Sequence, residues 1–288
     1  MPCPKYSTLG GLQTRHEASY NIAMRICCCI KQVPATTDVK INPETNTLVR
    51  EGVETQINPF DLYALEEAVR TKERMSEAGD QSTVTVLSMG PPWAEDALRE
   101  AISLGADDAI LLSDRAFAGA DTWCTSYTLA MALKKLEPDI VFCGMQAIDG
   151  DTGQVGPGIA VHMNYAQVAY VAKIESLDGK KMVAKRLIEE GYEVCEVRLP
   201  AVLTVVKEIN EPRTPSLRGK MNAKKAEIPV WGPAEIGAPE DRIGLLGSPT
   251  QVIKVMTPPC RAGGDKYQGE PGELADKLYD VLKCMEVV

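Results

Sequence analysis

Two rhythms of apolar and polar residues run along this chain. Short apolar runs bounded by Gly, Pro or Asp, at Ile26–Gln32, Thr83–Ser88, Asp108–Leu112 and Asp139–Cys143, predict strands. Between them apolar residues recur at helical spacing: Leu62, Leu65, Val69 and Met75; then Ala94, Ala97, Leu98, Ala101 and Ile102; then Ser126, Leu129, Ala130, Leu133 and Leu136. The connections are too long for hairpins, so the pattern predicts crossover units and an α/β fold. Its sheet is mostly parallel, with helices on both faces.

After residue 164 the rhythm changes. Val168–Ile174, Lys181–Leu187 and Tyr192–Arg198 alternate as an antiparallel excursion would, followed by the apolar run Val202–Val206. From Glu211 onward Pro and Gly are frequent, and helical periodicity returns only over Glu273–Met285. Three regions are expected. They are a loose extension over 1–23, an α/β domain over 24–210, and a stretch over 211–288. The last is either an arm with a terminal helix, lying on another surface, or a decoration of the same domain.

Open parallel sheets of this Rossmann-like kind bind ligands beyond the carboxyl ends of their strands. Those ends read Lys31-Gln32-Val33-Pro34, Met89-Gly90-Pro91-Pro92 and Gly144-Met145-Gln146-Ala147. The third opens the stretch GMQAIDGDTGQVGPGIA, in which Gly150, Gly153, Gly156 and Gly158 permit close backbone approach and no lysine or arginine occurs. Phosphate held by main-chain N–H groups at a helix start needs no lysine. A Gly-rich turn capped by Asp149 and Asp151 is the plainer reading. Similarly, Asn58-Pro59-Phe60-Asp61 opens the first helix, where Asn58 or Asp61 acts as a cap or the backbone faces the same crevice.

Composition narrows the chemistry. The formal net charge of −9 over 288 residues argues against a nucleic acid partner. No window is long and apolar enough to span a membrane. Nine cysteines, three of them consecutive at Cys27, Cys28 and Cys29 in an apolar run, read as small hydrophobes of a reducing compartment, the cytoplasm. Neither clustered metal ligands nor a GxxxxGK[ST] loop is found. Of the two histidines, His16 lies in the extension and His162 in a helix with no nucleophile motif beside it.

Three segments in order, Ile30-Lys31-Gln32-Val33-Pro34, Asn58-Pro59-Phe60 and Gln146-Ala147-Ile148-Asp149, resemble the β subunit of electron transfer flavoproteins. Leu199-Pro200-Ala201-Val202 and Asn210-Glu211-Pro212-Arg213 continue the resemblance, which runs from Met24 to the C-terminus. It implies an adenine-nucleotide-binding α/β domain paired with an α subunit that carries one FAD, with the C-terminal arm wrapping onto that partner. The implied nucleotide pocket falls on Cys29, on Asn58, Pro59, Phe60 and Asp61, and on Met89. It continues through Gly144, Met145, Gln146, Ala147, Ile148, Asp149, Gly150, Asp151, Thr152, Gly153, Gln154 and Val155.

Members of that family hold either a structural AMP or a redox-active second FAD in this pocket. The loop Asp149-Gly150-Asp151-Thr152-Gly153-Gln154-Val155 lacks the bulk of the simple carriers and resembles the bifurcating version. The resemblance then implies that NADH reduces the β-subunit FAD. One electron passes through the α-subunit FAD to an acyl-CoA dehydrogenase-type flavoenzyme, the other to ferredoxin or flavodoxin. No side chain is expected to act as a catalytic acid or base; the resemblance implies an electron-transfer subunit of an oxidoreductase complex with NADH-oxidising flavin activity. The segment Glu189–Val194 resembles the loop by which the family grips its dehydrogenase, with Tyr192 either an exposed anchor or a cross-strand packing residue.

Overall fold

The structure, a computed structural model, describes residues 24–35, 54–253 and 263–287, so the extension expected over 1–23, with His16, lies outside the described residues. β1 (Met24–Cys29) leads to a ribbon of β2 (Gln32–Pro34) and β3 (Thr55–Ile57), then α1 (Pro59–Glu77), β4 (Ser82–Met89), α2 (Glu95–Ser103) and β5 (Asp108–Leu112). α3 (Thr122–Leu136), β6 (Ile140–Gly144) and α4 (Val155–Met163) follow, then β7 (Ala166–Leu177), β8 (Lys181–Ile188), β9 (Gly191–Arg198) and β10 (Ala201–Val205). The remaining elements are α5 (Leu217–Lys225), β11 (Val230–Trp231), two short helices α6 (Pro233–Ile236) and α7 (Gly244–Gly247), and α8 (Pro271–Cys284).

Nine strands form one sheet in the order β11-β5-β4-β1-β6-β10-β7-β8-β9. Every pair from β11 to β7 is parallel, whereas β7-β8 and β8-β9 are antiparallel. This is the expected α/β sheet with its antiparallel excursion, from which the chain returns as β10 between β6 and β7.

Residue alternation along the strands divides the core between the two faces. Ile26 and Cys28 of β1 pack with Val84, Val86, Phe142 and the helices α1 and α2, through Leu65, Ala68 and Leu98. Cys27 and Cys29 face the other way, with Leu87, Val141, Leu133 of α3 and Ile159 of α4. The seven described cysteines are free thiols, five of them buried. Burial pushes the Cys27 thiol up to about 12, as expected of a side chain used for packing.

The first strand is shorter than its apolar run. It ends at Cys29, and Gln32–Pro34 peels off to pair antiparallel with Thr55–Ile57. Pro34 has no N–H for a central ladder and fits the margin of a two-stranded ribbon.

Regular structure also reappears earlier than the Pro- and Gly-rich composition after Glu211 suggests. Ser216 accepts a hydrogen bond from the Gly219 N–H at 2.9 Å and starts α5. α5 lies on α2: Arg99 donates to the Ala223 and Ala226 carbonyls at 2.7 and 3.2 Å, and Gly219 leaves no room for a Cβ against Ser103. The periodicity escapes notice because Ala223 is the only buried residue of this basic helix.

Before α5, the chain is fastened to α1. Arg213 pairs with Glu66 and with Glu73, each at 2.7 Å, and Asn210 donates to the Tyr63 carbonyl at 3.0 Å. Glu66 is buried, so its charge depends on Arg213 and Arg70. Residues 253–288 form a second compact unit. There α8 starts at Pro271, close to the expected Glu273, and buries no residue, with Leu278, Tyr279 and Met285 exposed.

Candidate functional site

Strand order sets the site. The chain moves from β1 to β4 and β5 on one side, with α1 and α2 on one face. It then crosses through α3 to the other face and places β6 on the opposite side of β1. The reversal lies between β1 and β6, where an open parallel sheet leaves a crevice at its carboxyl end. Cys29 stands beside Cys143 in the register of these two strands, and Met89 ends the neighbouring β4.

Asp61, in the first turn of α1, joins the two diverging strands. Its Oδ2 accepts from the Lys31 N–H at 2.8 Å and its Oδ1 from the Gly144 N–H at 3.2 Å. Gly144 has to be glycine for this, because a Cβ would meet Asp61 and the Phe60 backbone, the latter at 2.7 Å. Burial is the dominant influence on Asp61 and raises it to about 7. The Asn58 amide, the two backbone N–H groups and the Lys31 charge pull the other way.

Asn58 is wholly buried and makes no side-chain cap to α1. Its Nδ2 donates to the Gln146 carbonyl at 2.8 Å, its Oδ1 accepts from the Ile148 N–H at 3.1 Å, and its own N–H donates to the Lys31 carbonyl at 2.8 Å. Asn58 thus stands at the N-cap position of α1 without a side-chain cap, and Asp61 lies within the first turn. Both side chains hold the loop after β6 and the end of β1 in place, and Pro59 and Phe60 between them are half-buried.

The loop itself is open. Ile148, Asp149, Gly150, Asp151, Thr152 and Gln154 are exposed, while Met145, Gln146, Ala147, Gly153 and Val155 are half-buried. A turn closed by the Asp151 N–H on the Ala147 carbonyl at 2.8 Å puts Asp151 at φ 56°, and Gly153 follows at φ 63°. The Lys31 ammonium reaches Asp149 Oδ1 at 2.7 Å, and Gln146 Nε2 donates to Asp151 at 2.5 Å. Thr152 lies 3.4 Å from Thr122 at the start of α3, oxygen to oxygen.

Besides Gly144, the four other glycines of this stretch divide by role. A Cβ at Gly158 would meet Ser126 at 2.5 and 2.6 Å, and one at Gly156 would run into Thr204, so these two seat α4 against α3 and β10. A Cβ at Gly150 would find only the Lys31 ammonium, at 4.0 Å, and one at Gly153 only the Met145 carbonyl, at 3.5 Å, so the loop is uncrowded at both. At the start of α4, Gln154 gives no side-chain cap and no acidic residue stands in the first turn. The dipole and free N–H groups of that end suit an anion. Such a donor set fits a nucleotide phosphate.

The other expectations separate from this cluster. Cys29 is buried against Cys143, and their hydrogen bond together with burial holds its thiol well above the usual range. His162 sits edge-on to Trp123 at 4.7 Å and Tyr127 at 5.4 Å. Burial first, then Arg242 and Lys134, lowers its pKa, which suits a packed imidazole. Tyr192 is half exposed on β9, the sheet edge remote from β6, opposite Leu187 and under the Lys185 ammonium at 4.1 Å. Two features were not singled out from the sequence. Lys31 stood in a quoted strand end but its reach to the loop was invisible, and Leu217, 79% exposed at the start of α5, lay in a stretch read as turns.

Comparison with known proteins agrees with this architecture. The electron transfer flavoprotein domain family matches residues 45–236. The electron transfer flavoprotein subunit beta of Thermoanaerobacterium thermosaccharolyticum is 47% identical over 266 residues, which cover 92% of this chain and 100% of that protein. The caffeyl-CoA reductase-Etf complex subunit CarD of Acetobacterium woodii is 46% identical over 267 residues, 92% of this chain and 100% of its own. Protein FixA of Azorhizobium caulinodans is 46% identical over 247 residues, 83% of this chain and 86% of its own.

Asp61 makes a pH dependence testable. Its folded value, about 7, exceeds the unfolded value of about 4. The stability it contributes is therefore fully present below the unfolded value and is lost as pH rises through 7. The stability of the wild type minus that of Asp61→Asn, from urea unfolding, is expected to be larger near pH 5 than near pH 8. Equal differences at the two pH values would remove the titration from Asp61.

Proposed function

We propose, from the premise that the chain belongs to the electron transfer flavoprotein family as a β subunit, that the crevice between β1 and β6 holds FAD and serves electron bifurcation. Membership of that family makes the chain an electron-transfer protein and implies an α-subunit partner. The observation that carries the reading is the open loop 149–154. Its exposed Thr152 and Gln154 offer side-chain hydrogen bonds, and the uncrowded Gly150 and Gly153 leave space for a diphosphate. Kinship with CarD of a caffeyl-CoA reductase-Etf complex supports a reductase-linked role.

In this reading, bound FAD supplies the means to take a hydride from NADH and pass its two electrons on singly. The acceptors would be an acyl-CoA dehydrogenase-type flavoenzyme, served by way of the α subunit and its FAD, and ferredoxin or flavodoxin. The chain's own residues bind and orient: the α4 N-terminus and loop N–H groups take phosphate, and Asn58 and Asp61 fix those groups in place. Its site residues are Cys29, Asn58–Asp61, Met89 and Gly144–Val155. Free, buried thiols suit a reducing cytoplasm, and no helix among the described residues is long and apolar enough to cross a membrane.

FAD released from the purified heterodimer and counted against AMP tests the cofactor. Two FAD and no AMP are expected. One FAD with one AMP would leave the second reading, a simple carrier with a structural nucleotide in the same crevice.

Docking of the dehydrogenase has two candidate anchors. Tyr192 is one, 51% exposed on β9, and Leu217 is the other, 79% exposed on α5 among Arg218, Lys220, Lys224 and Lys225. An exposed aliphatic side chain with a charged rim is the arrangement of an interface anchor. α8 and the segment before it are assigned to the grip on the α subunit, supported by the exposed Leu278, Tyr279 and Met285. Tyr192→Ala and Leu217→Ala are each expected to lower the partner-coupled rate at limiting dehydrogenase while sparing flavin content. A rate unchanged in one variant removes that residue as an anchor.

A further inference from the structure

The loop assigned to phosphate carries two carboxylates, Asp149 and Asp151, on a chain whose formal net charge is already −9. Two like charges several ångströms apart near a protein surface repel by enough to change an affinity about tenfold or more. A phosphate settles there more readily where that charge is offset from within the chain.

Each carboxylate has a partner from its own chain. Gln146 Nε2 serves Asp151, and the Lys31 ammonium serves Asp149. Among the described residues this is the one ion pair made to residues 144–155. Lys31 comes from outside the loop, and its backbone is pinned on both sides: its N–H donates to Asp61 and its carbonyl accepts from the Asn58 N–H. The ammonium therefore extends from a fixed point toward Asp149. The Asp149 side chain is 21% exposed and that of Lys31 45%, so the carboxylate is the more covered member of the pair.

We propose that Lys31 is a positioning residue for nucleotide phosphate: it keeps Asp149 paired and neutralised, so that the main-chain donors of the loop and of α4 meet the phosphate without the Asp149 charge competing. This rests on the nucleotide reading of the crevice and adds a residue to it. A lysine missing from the loop is thereby supplied from the end of β1, as a counter-ion to the protein rather than to the ligand. A half-exposed pair of this kind adds little to folding stability, so its effect belongs to affinity.

The test uses the heterodimer with its α-subunit FAD in place and its β-subunit site emptied. ADP is the probe, being the half of FAD that brings the diphosphate, with adenosine as the phosphate-free control, and calorimetry reads both. Lys31→Met is expected to weaken ADP about tenfold or more at low ionic strength, and less at high salt, while leaving adenosine unchanged. Asp149→Asn is expected to bind ADP at least as well as the wild type. The double variant Lys31→Met/Asp149→Asn is expected to recover to within about threefold of it, because the charge that needed cancelling is gone. A double variant as weak as Lys31→Met would overturn the proposal and make Lys31 a direct phosphate ligand. Equal losses for ADP and adenosine would overturn it in favour of a merely structural role. Wild-type protein that binds neither ADP nor adenosine would instead sink the nucleotide reading itself.

Discussion

The structure turns on one buried carboxylate. Where strand order reverses between β1 and β6, two parallel strands end side by side and their chains leave in different directions, so the next backbone N–H groups have no ladder partner. Asp61 takes both, from Lys31 and Gly144. Leaving either unmet in so buried a place costs about 1–3 kcal/mol. Because Asp61 sits in the first turn of α1, the same contacts orient that helix. They bring wholly buried Asn58 under the loop after β6, where its amide fixes the Gln146 carbonyl and the Ile148 N–H. The crevice is thus rigid at its base and open only at its rim.

That arrangement shows how the crevice proposed for a nucleotide is built with few basic side chains. Gly156 and Gly158 let α4 approach β10 and α3 closely. Gly150 and Gly153 leave the rim unobstructed. On the rim, Asp149 is paired with Lys31 and Asp151 accepts a hydrogen bond from the Gln146 amide. Outside the crevice, the Arg213 pairs with Glu66 and Glu73 fasten the segment after β10 to α1, so the helix that carries Asp61 is braced from its solvent side as well.

Much of this was legible in the residue pattern, because parallel strands buried on both faces produce unmistakable apolar runs. The triplet Cys27-Cys28-Cys29 shows the logic: alternate side chains enter opposite faces of the core, as period-two geometry requires. The place of the crevice was legible because strand ends are: Cys29, Met89 and Gly144 end adjacent parallel strands, and Asn58 and Asp61 bond to the chain at and after the end of β6. Side-chain duties were not. Asn58 and Asp61 look like helix caps, since a cap and a long-range clamp use the same residue types. α5 was hidden because a helix that buries only Ala223 has no apolar stripe to detect. The β2-β3 ribbon was hidden because pairing between segments so far apart leaves no local trace.

Hydrogen–deuterium exchange on the heterodimer, with the β-subunit nucleotide present and removed, addresses the central claim directly. The account predicts that nucleotide protects peptides covering residues 144–158 most. Smaller protection should appear in those covering 29–33 and 58–62, where Asn58, Asp61 and Lys31 already hold the backbone. Protection concentrated elsewhere in the chain, with 144–158 exchanging alike in both states, would contradict the assignment of the β1-β6 crevice as the nucleotide site.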